Sequence, residues 1–408
     1  MLMSAPTKSL SQGEFVALIA GLFATIALSI DAMLPAMPEI AAALTPQNPN
    51  RAQLVVTSFV FGMGLGTLFV GPLADAFGRR RVILFGSGLF MLAALACYLA
   101  GSLETLLMAR VLQGIGAAAP RVVSVAMVRD QFKGREMARV MSLVMTVFML
   151  VPAVAPLMGQ AVINLAGWQM IFLVYIGFSA VLMLWMGLRQ PETLPIVARR
   201  PLTVASLISA TRELFTHRIV VVSIVAQTLT LAALFASLSS LQSIFAQRFD
   251  RADSFAAWFA FIALASASGS ILNARLVMRR GMREVVTGTY MGMVALSAIL
   301  LMLIVTGLMP QVLAFPAMLL WITALFAMLG LCMGNLNALA MEPVGHIAGL
   351  AASVISAIST VGSVVLAVPV GQAFDGTEVP LMTGALVFIG AALAVMLFGV
   401  AQDQPRAV

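Results

Sequence analysis

Apolar runs of about 20 residues recur along the whole chain, separated by short polar or basic intervals. Their pattern predicts twelve spans, at about 14–38, 51–74, 82–100, 104–127, 137–163, 168–188, 217–243, 254–276, 285–307, 311–333, 347–371 and 380–400. A run of that length crosses a hydrocarbon core of about 30 Å as a helix, in which every backbone group is satisfied internally. The expected fold is therefore an all-α integral membrane bundle whose solvent is lipid. The first run follows a short polar start with a single Lys8, contains Asp31 and lacks a small-residue cleavage site, so it reads as a retained helix.

The longest polar interval, from about Arg189 to His217, holds Pro191, Pro195, Pro201 and four arginines. It divides the chain into an N-terminal six-helix bundle (1–188), a cytoplasmic linker (189–216) and a C-terminal six-helix bundle (217–408). Two echoes suggest that the halves are related. Gly71-Pro-Leu-Ala-Asp75, with Arg79, Arg80 and Arg81, follows the second span, and Gly269-Ser-Ile-Leu-Asn273, with Arg279, Arg280 and Arg283, follows the eighth, an offset of 198 residues. Ala155-Pro156-Leu-Met-Gly159-Gln160 in the fifth span is echoed by Val368-Pro369-Val-Gly371-Gln372 in the eleventh. Two such halves can rock about a site near the membrane midplane and expose it to each side in turn.

Composition agrees with the lipid reading: 61% of residues are hydrophobic and 10% charged, against roughly 25% charged in ordinary soluble domains. The net charge of +7 is a matter of topology. With the N-terminus inside, the 23 basic residues divide into 18 on inside segments, three outside (Arg51, Arg248, Arg251) and two within spans (Arg110, Arg121). The positive-inside rule then puts both termini in the cytoplasm, and basic loops read as a sorting signal rather than a nucleic-acid surface. Cys97 and Cys332 both fall within spans, so neither a disulfide framework nor a zinc cluster is expected. His217 and His346 are solitary, and no metal site is expected.

The candidate chemistry lies in the few charges inside spans. An arginine there costs at least about 2.5–3.5 kcal/mol on insertion scales, so Arg110 is expected to face the protein interior and to have a partner. Arg121 follows eleven residues later, about 16 Å along the helix and within roughly 20° of the same face. It either selects an anionic or polar substrate group or hydrogen-bonds between helices. Asp31, in the outer half of the first span, is the one carboxylate placed inside a helix; as a carboxyl between desolvation and a nearby cation it could load and release protons. Gly78 suits a tight reversal and Gly71 a close helix approach, while Asp75 can pair with Arg79 or act on a helix N-terminus; together they form a candidate conformational latch. Pro156 distorts the fifth helix. Gly62, Gly64 and Gly66 read as packing surfaces, and the 28 methionines mainly as lipid-facing or gap-filling residues.

Gly71-Pro-Leu-Ala-Asp-Ala-Phe-Gly78-Arg-Arg-Arg81 resembles the G-x-L-A-D-R-x-G-R-R loop signature of the major facilitator superfamily. Arg110-Val-Leu-Gln113-Gly-Ile-Gly116 is similar to its R-x-x-Q-G-x-G pattern, which adds Gln113 to the site. The run from Asp31 to Pro38, the Arg129-Asp130 pair and Ala155-Pro156 with Gly159 look like the Bcr/CflA group of drug:proton antiporters. The fifth-span motif departs from the usual Gly-Pro with a following glycine pair. The resemblance implies a major facilitator fold of twelve helices in two pseudo-symmetric bundles, with the latch stabilising an outward-facing state. It further implies export of small amphiphilic compounds by proton antiport from the inner membrane. The expected partners are the substrate, protons and the bilayer, the working unit is a monomer, and the energy comes from the proton gradient with no cofactor. An importer or metabolite exporter of the same fold remains the alternative. A polytopic membrane enzyme lacks a reactive cluster here, with no H-E-x-x-H and no membrane-embedded histidine, and a channel fits the repeats and latch poorly.

Overall fold

The computed structural model describes residues 10–199 and 204–399. They form two compact units divided at Val204. Unit 1 contains α1 (Gln12–Asp31), α2 (Met37–Leu44), α3 (Leu54–Phe77), α4 (Arg79–Tyr98), α5 (Leu103–Gln131), α6 (Gly134–Ala166) and α7 (Met170–Arg189). Unit 2 contains α8 (Val204–Leu214), α9 (Arg218–Gln247), α10 (Phe255–Ser266), α11 (Ser268–Arg280), α12 (Met282–Val305), α13 (Gln311–Met341), α14 (Ala348–Gln372) and α15 (Val379–Gly399). The interval read as a linker thus carries a helix of its own, α8.

Local chemistry sets where these helices stop. The first apolar run breaks after Asp31 because Pro35 and Pro38 have no N–H to donate; a 3₁₀ turn at Leu34–Ala36 leads into α2. The eighth run is divided at Ala267, where the Ser266 and Ser268 hydroxyls donate to the carbonyls of Ala263 (2.9 Å) and Ala265 (2.6 Å) and compete with backbone donors. Eleven stretches among the described residues are long and apolar enough to cross a membrane, and one of them, Gln311–Gln372, is 62 residues long. At 1.5 Å per residue that stretch is too long for one crossing. A 3₁₀ turn over Glu342–Ile347, with Val344 off helical geometry, divides it into α13 and α14, which restores the twelve predicted spans.

The two units repeat one packing scheme. In unit 1, α1 packs on α5, α6 and α7, while α5 also packs on α3 and α4, and α4 on α7. In unit 2, α9 packs on α13, α14 and α15, α13 on α10, α11 and α12, and α12 on α15. Between apolar helices in lipid there is no hydrophobic drive to associate, so small residues that bring backbones together carry the packing. A Cβ on Gly62 would lie 2.0 Å from the Val111 carbonyl oxygen, and one on Gly114 2.0 Å from that of Phe59, so α3 and α5 touch backbone to backbone. Large apolar side chains such as Phe85 of α4 and Leu165 of α6 stand on outer faces, with 77% and 86% of their surface exposed.

The structure corrects the register of the internal repeat. Gly78 and Gly281 both have positive φ (99° and 79°) and both join consecutive helices, and they lie 203 residues apart. The same offset relates Gly66, whose Cβ would meet the Ile115 carbonyl of α5 at 2.8 Å, to Gly269, whose Cβ would meet the Ala327 carbonyl of α13 at 2.2 Å. Counted from these turn glycines, Gly269 falls at the position of Gly66 rather than Gly71, and like Gly62 and Gly66 it closes on the backbone of a neighbouring helix. The two offsets differ by five positions because positive-inside arginines need only lie in the loop, whereas the turn glycines are fixed by geometry.

Candidate transport site

The interior of unit 1 is organised by one side chain. Arg110, fully buried on α5, donates from Nε to the Val55 carbonyl of α3 (3.0 Å) and from Nη2 to the Ser29 carbonyl of α1 (3.1 Å). Its Nη1 donates to Gln113 Oε1 at 2.7 Å, and its guanidinium lies 4.4 Å from the centre of the Phe59 ring. Three helices are thereby tied to one cation, whose planar fork suits several acceptors in different directions. Gln113 places its oxygen toward Arg110 and leaves Nε2 without a partner. Tyr175 of α7 donates to the same Ser29 carbonyl at 3.3 Å.

Asp31 stands two residues beyond that carbonyl, at the end of α1, with 6% of its surface exposed. It forms no ion pair with Arg110, and among the described residues its carboxylate has no hydrogen-bond partner. Every other carboxylate of unit 1 is either paired, hydrogen-bonded or exposed: Glu14 with Arg189, Asp75 and Asp130 with Arg79, Glu104 with Arg51, Glu192 with backbone donors, and Glu39 and Glu136 on the surface. The fifth-span motif reaches this place from the other side. A Cβ on Gly159 of α6 would lie 2.1 Å from the Ala32 carbonyl oxygen, so α6 closes directly on the break beside Asp31, and Pro156 lies buried one turn earlier.

Arg121 is half-buried further along α5, and its polar contact is the Met63 thioether, with Nη1 3.9 Å from Sδ. The structure does not bring it to Arg110 or Asp31.

At the other end of α3 the latch residues form a charge network. Arg79 Nη1 lies 2.5 Å from Asp75 Oδ1, and its Nε lies 3.2 Å from Asp130 Oδ2. Thr193 Oγ1 donates to the same Asp130 oxygen at 2.9 Å. Gly78 turns the chain with φ 99°, and the Glu192 carboxylate sits over the start of α4, accepting the backbone N–H groups of Arg79 (2.8 Å) and Arg80 (3.2 Å). Gly71 lies half-buried within α3 and takes no part in this network.

The interior of unit 2 is polar, and among its described residues the buried charge is Glu378, just before α15, which pairs with Arg248 at 2.9 Å. Thr230 and Tyr290 share a hydrogen bond at 2.5 Å, Trp321 Nε1 donates to Ser297 at 2.9 Å, and Asn335 donates to Asn273 at 2.8 Å. Ser223 Oγ and Gln227 Nε2 on α9 are buried without partners.

Comparison with known proteins agrees with this architecture. The sequence profile of the Major Facilitator Superfamily matches residues 17–368. The chain belongs to the major facilitator superfamily. It is a multi-pass membrane transporter, and the same family places it among carriers rather than enzymes. The uncharacterized MFS-type transporter YdgK of Bacillus subtilis (strain 168) is 31% identical over 404 residues, 95% of this chain and 96% of its own length. A bicyclomycin resistance protein homolog of Haemophilus influenzae is 40% identical over 145 residues, 36% of each chain. A chloramphenicol resistance protein of Pseudomonas aeruginosa is 38% identical over 146 residues, 36% of this chain and 35% of its own length. The resistance-named relatives are thus matched over about a third of their length. Among solved structures, the xylose transporter XylE from E. coli, in a partially occluded inward-open conformation, has a TM-score of 0.73 over 97% of this chain and 99% of its own, at 12% identity. That likeness shows the shared fold.

Three residues of this major facilitator chain that the structure brings to the sites did not stand out in the sequence. Glu192 lay in an interval read as linker. Tyr175 and Phe59 read as ordinary apolar-span residues. Asp130, named in the sequence as part of the Arg129-Asp130 motif, forms an ion pair with Arg79.

Proposed function

We propose that this transporter exports small amphiphilic compounds in exchange for protons by alternating access, driven by the proton gradient with no bound cofactor. Asp31 is the proton carrier, Arg110 and Gln113 organise the interior around it, and the Asp75–Arg79–Asp130 network with Gly78 is the latch that favours one state. The observation that carries the reading is the Asp31 carboxylate: among the described residues of unit 1 it is the one buried acidic group with no partner, and it sits at a helix break closed by Gly159. A carboxyl in such a place is free to gain and lose a proton as its surroundings open and close. Relatives named for bicyclomycin and chloramphenicol resistance support small-molecule export as the direction. We further assign residues 1–188 and 217–408 to the two moving bundles, with 189–216 as the cytoplasmic linker. The chain lies in the inner membrane with both termini cytoplasmic and works as a monomer.

The test is proton release from everted vesicles containing the full chain when a panel of drugs and metabolites is added, with Asp31→Asn alongside. Substrate-triggered proton movement that disappears in Asp31→Asn supports the reading. Active transport without proton movement would mean a differently coupled carrier of the same fold.

A further inference from the structure

Arg121 is an unexplained cost in this fold. It sits in the middle third of α5, eleven residues beyond Arg110 and ten before the helix end at Gln131. Position 121 is nine residues from Leu112, which places the two side chains on opposite faces of the helix. Leu112 is 48% exposed on the outer face, so Arg121 points away from lipid. Arg110, on nearly the same face, offsets its desolvation with three hydrogen bonds and an aromatic ring. Arg121 has nothing comparable: among the described residues no carboxylate or carbonyl accepts from it, and its contact with Met63 Sδ is a weak one at 3.9 Å. It also keeps part of its surface open, unlike the fully enclosed Arg110. One turn later Ser124 is fully buried with a hydroxyl that has no partner, a second spare donor near the same place.

A half-open cation inside a membrane bundle, with spare donors and no anion, is built for an anion that arrives from outside the fold. We propose that Arg121 is a specificity-determining residue that receives an acidic group of the transported compound, so that the preferred substrates are amphiphilic anions, a carboxylate on an apolar body. Met63 beside it supplies a polarizable apolar surface for the part of the substrate next to the acid. This inference rests on the export reading for the word substrate, while the anion preference itself can be measured as binding, without transport. A guanidinium–carboxylate pair is a strong, charge-assisted contact.

The experiment is equilibrium binding to the purified full chain in detergent micelles, using phenylbutyrate, phenylbutyramide and phenylbutylamine as probes of equal body and different charge. The expected result is that the carboxylate binds at least about tenfold more tightly than the amide. The preference should fall to near unity in both Arg121→Gln and Arg121→Met and persist in Arg121→Lys, which keeps the charge. A wild-type protein that favours the amide or the amine or treats the three alike, or a preference unchanged in Arg121→Gln, overturns the proposal. If the anion preference behaves as expected while transport of the compound moves no protons, the antiport reading fails and the anion site stands.

Discussion

Removal of the Glu192 carboxylate tests whether the loop after α7 holds the start of α4. Its oxygens accept four backbone N–H groups: Arg79 at 2.8 Å and Arg80 at 3.2 Å across the network, and Thr193 and Leu194, both at 3.1 Å, within its own loop. The first two are helix-start donors that have no partner inside α4. Gly78, the residue before them, has no side chain to serve as a cap and has φ 99°. Loss of a helix cap costs roughly 0.5–2 kcal/mol, and loss of a negative charge at a helix N-terminus roughly 0.3–1 kcal/mol. Taking about 1–2 kcal/mol for Glu192→Ala, local opening at the start of α4 should become about 5–30 times more frequent. Hydrogen exchange followed by mass spectrometry on peptides covering residues 76–84 reads this directly. Glu192→Gln keeps one carbonyl acceptor and should lose less protection. The α12 start after Gly281, which also lacks a side-chain cap, serves as the internal control and should not change. Unaltered protection at the start of α4, or an equal loss there and at α12, would refute the assignment.

The other expectations follow from single contacts. Gly114→Ala puts a methyl group 2.0 Å from the Phe59 carbonyl oxygen and 2.7 Å from the Met63 nitrogen, backbone atoms that cannot turn aside, so the melting temperature in detergent should fall by an amount matching about 1–3 kcal/mol. Gly269→Ala should do the same in unit 2, where the Ala327 oxygen lies 2.2 Å away; normal stability in either variant would mean the helices are less tightly apposed than described. Arg110→Lys cannot reach Val55, Ser29 and Gln113 together from one ammonium, so transport should be largely lost even where insertion is normal, and retained transport would show that charge alone suffices. Asp75→Asn removes one of the two carboxylates on Arg79 and should lower the transport rate without affecting membrane insertion; full activity would dismiss the latch.

Much of the fold could be read in the chain because lipid imposes a simple rule on it: apolar runs of a set length must be helices, and their number and loops follow. The breaks were harder. Pro35 and Pro38 lie at the end of a predicted span whose regular α-helix ends at Asp31 while the apolar stretch runs on to Leu44, and the divided eighth span depends on two serine hydroxyls that compete for carbonyls, a detail below the resolution of hydropathy. Among site residues, Arg110 and Asp75 with Arg79 were legible because buried charge and charge spacing announce themselves. Glu192 was not, since a cap contributed from 113 residues away leaves no local pattern. Nor could the sequence tell that Arg110 would be satisfied by carbonyls and a ring rather than by Asp31. That distinction arises only when α1, α3 and α5 are packed, and it is what leaves Asp31 unpartnered.

The coupling role of Asp31 is tested most directly in proteoliposomes holding the full chain and loaded with a transported compound, by measuring both uphill transport under an imposed pH gradient and exchange of labelled for unlabelled compound without one. The account predicts that Asp31→Asn abolishes the uphill movement and keeps the exchange, because the carrier still alternates but no longer takes a proton. Uphill transport that persists in Asp31→Asn would contradict it.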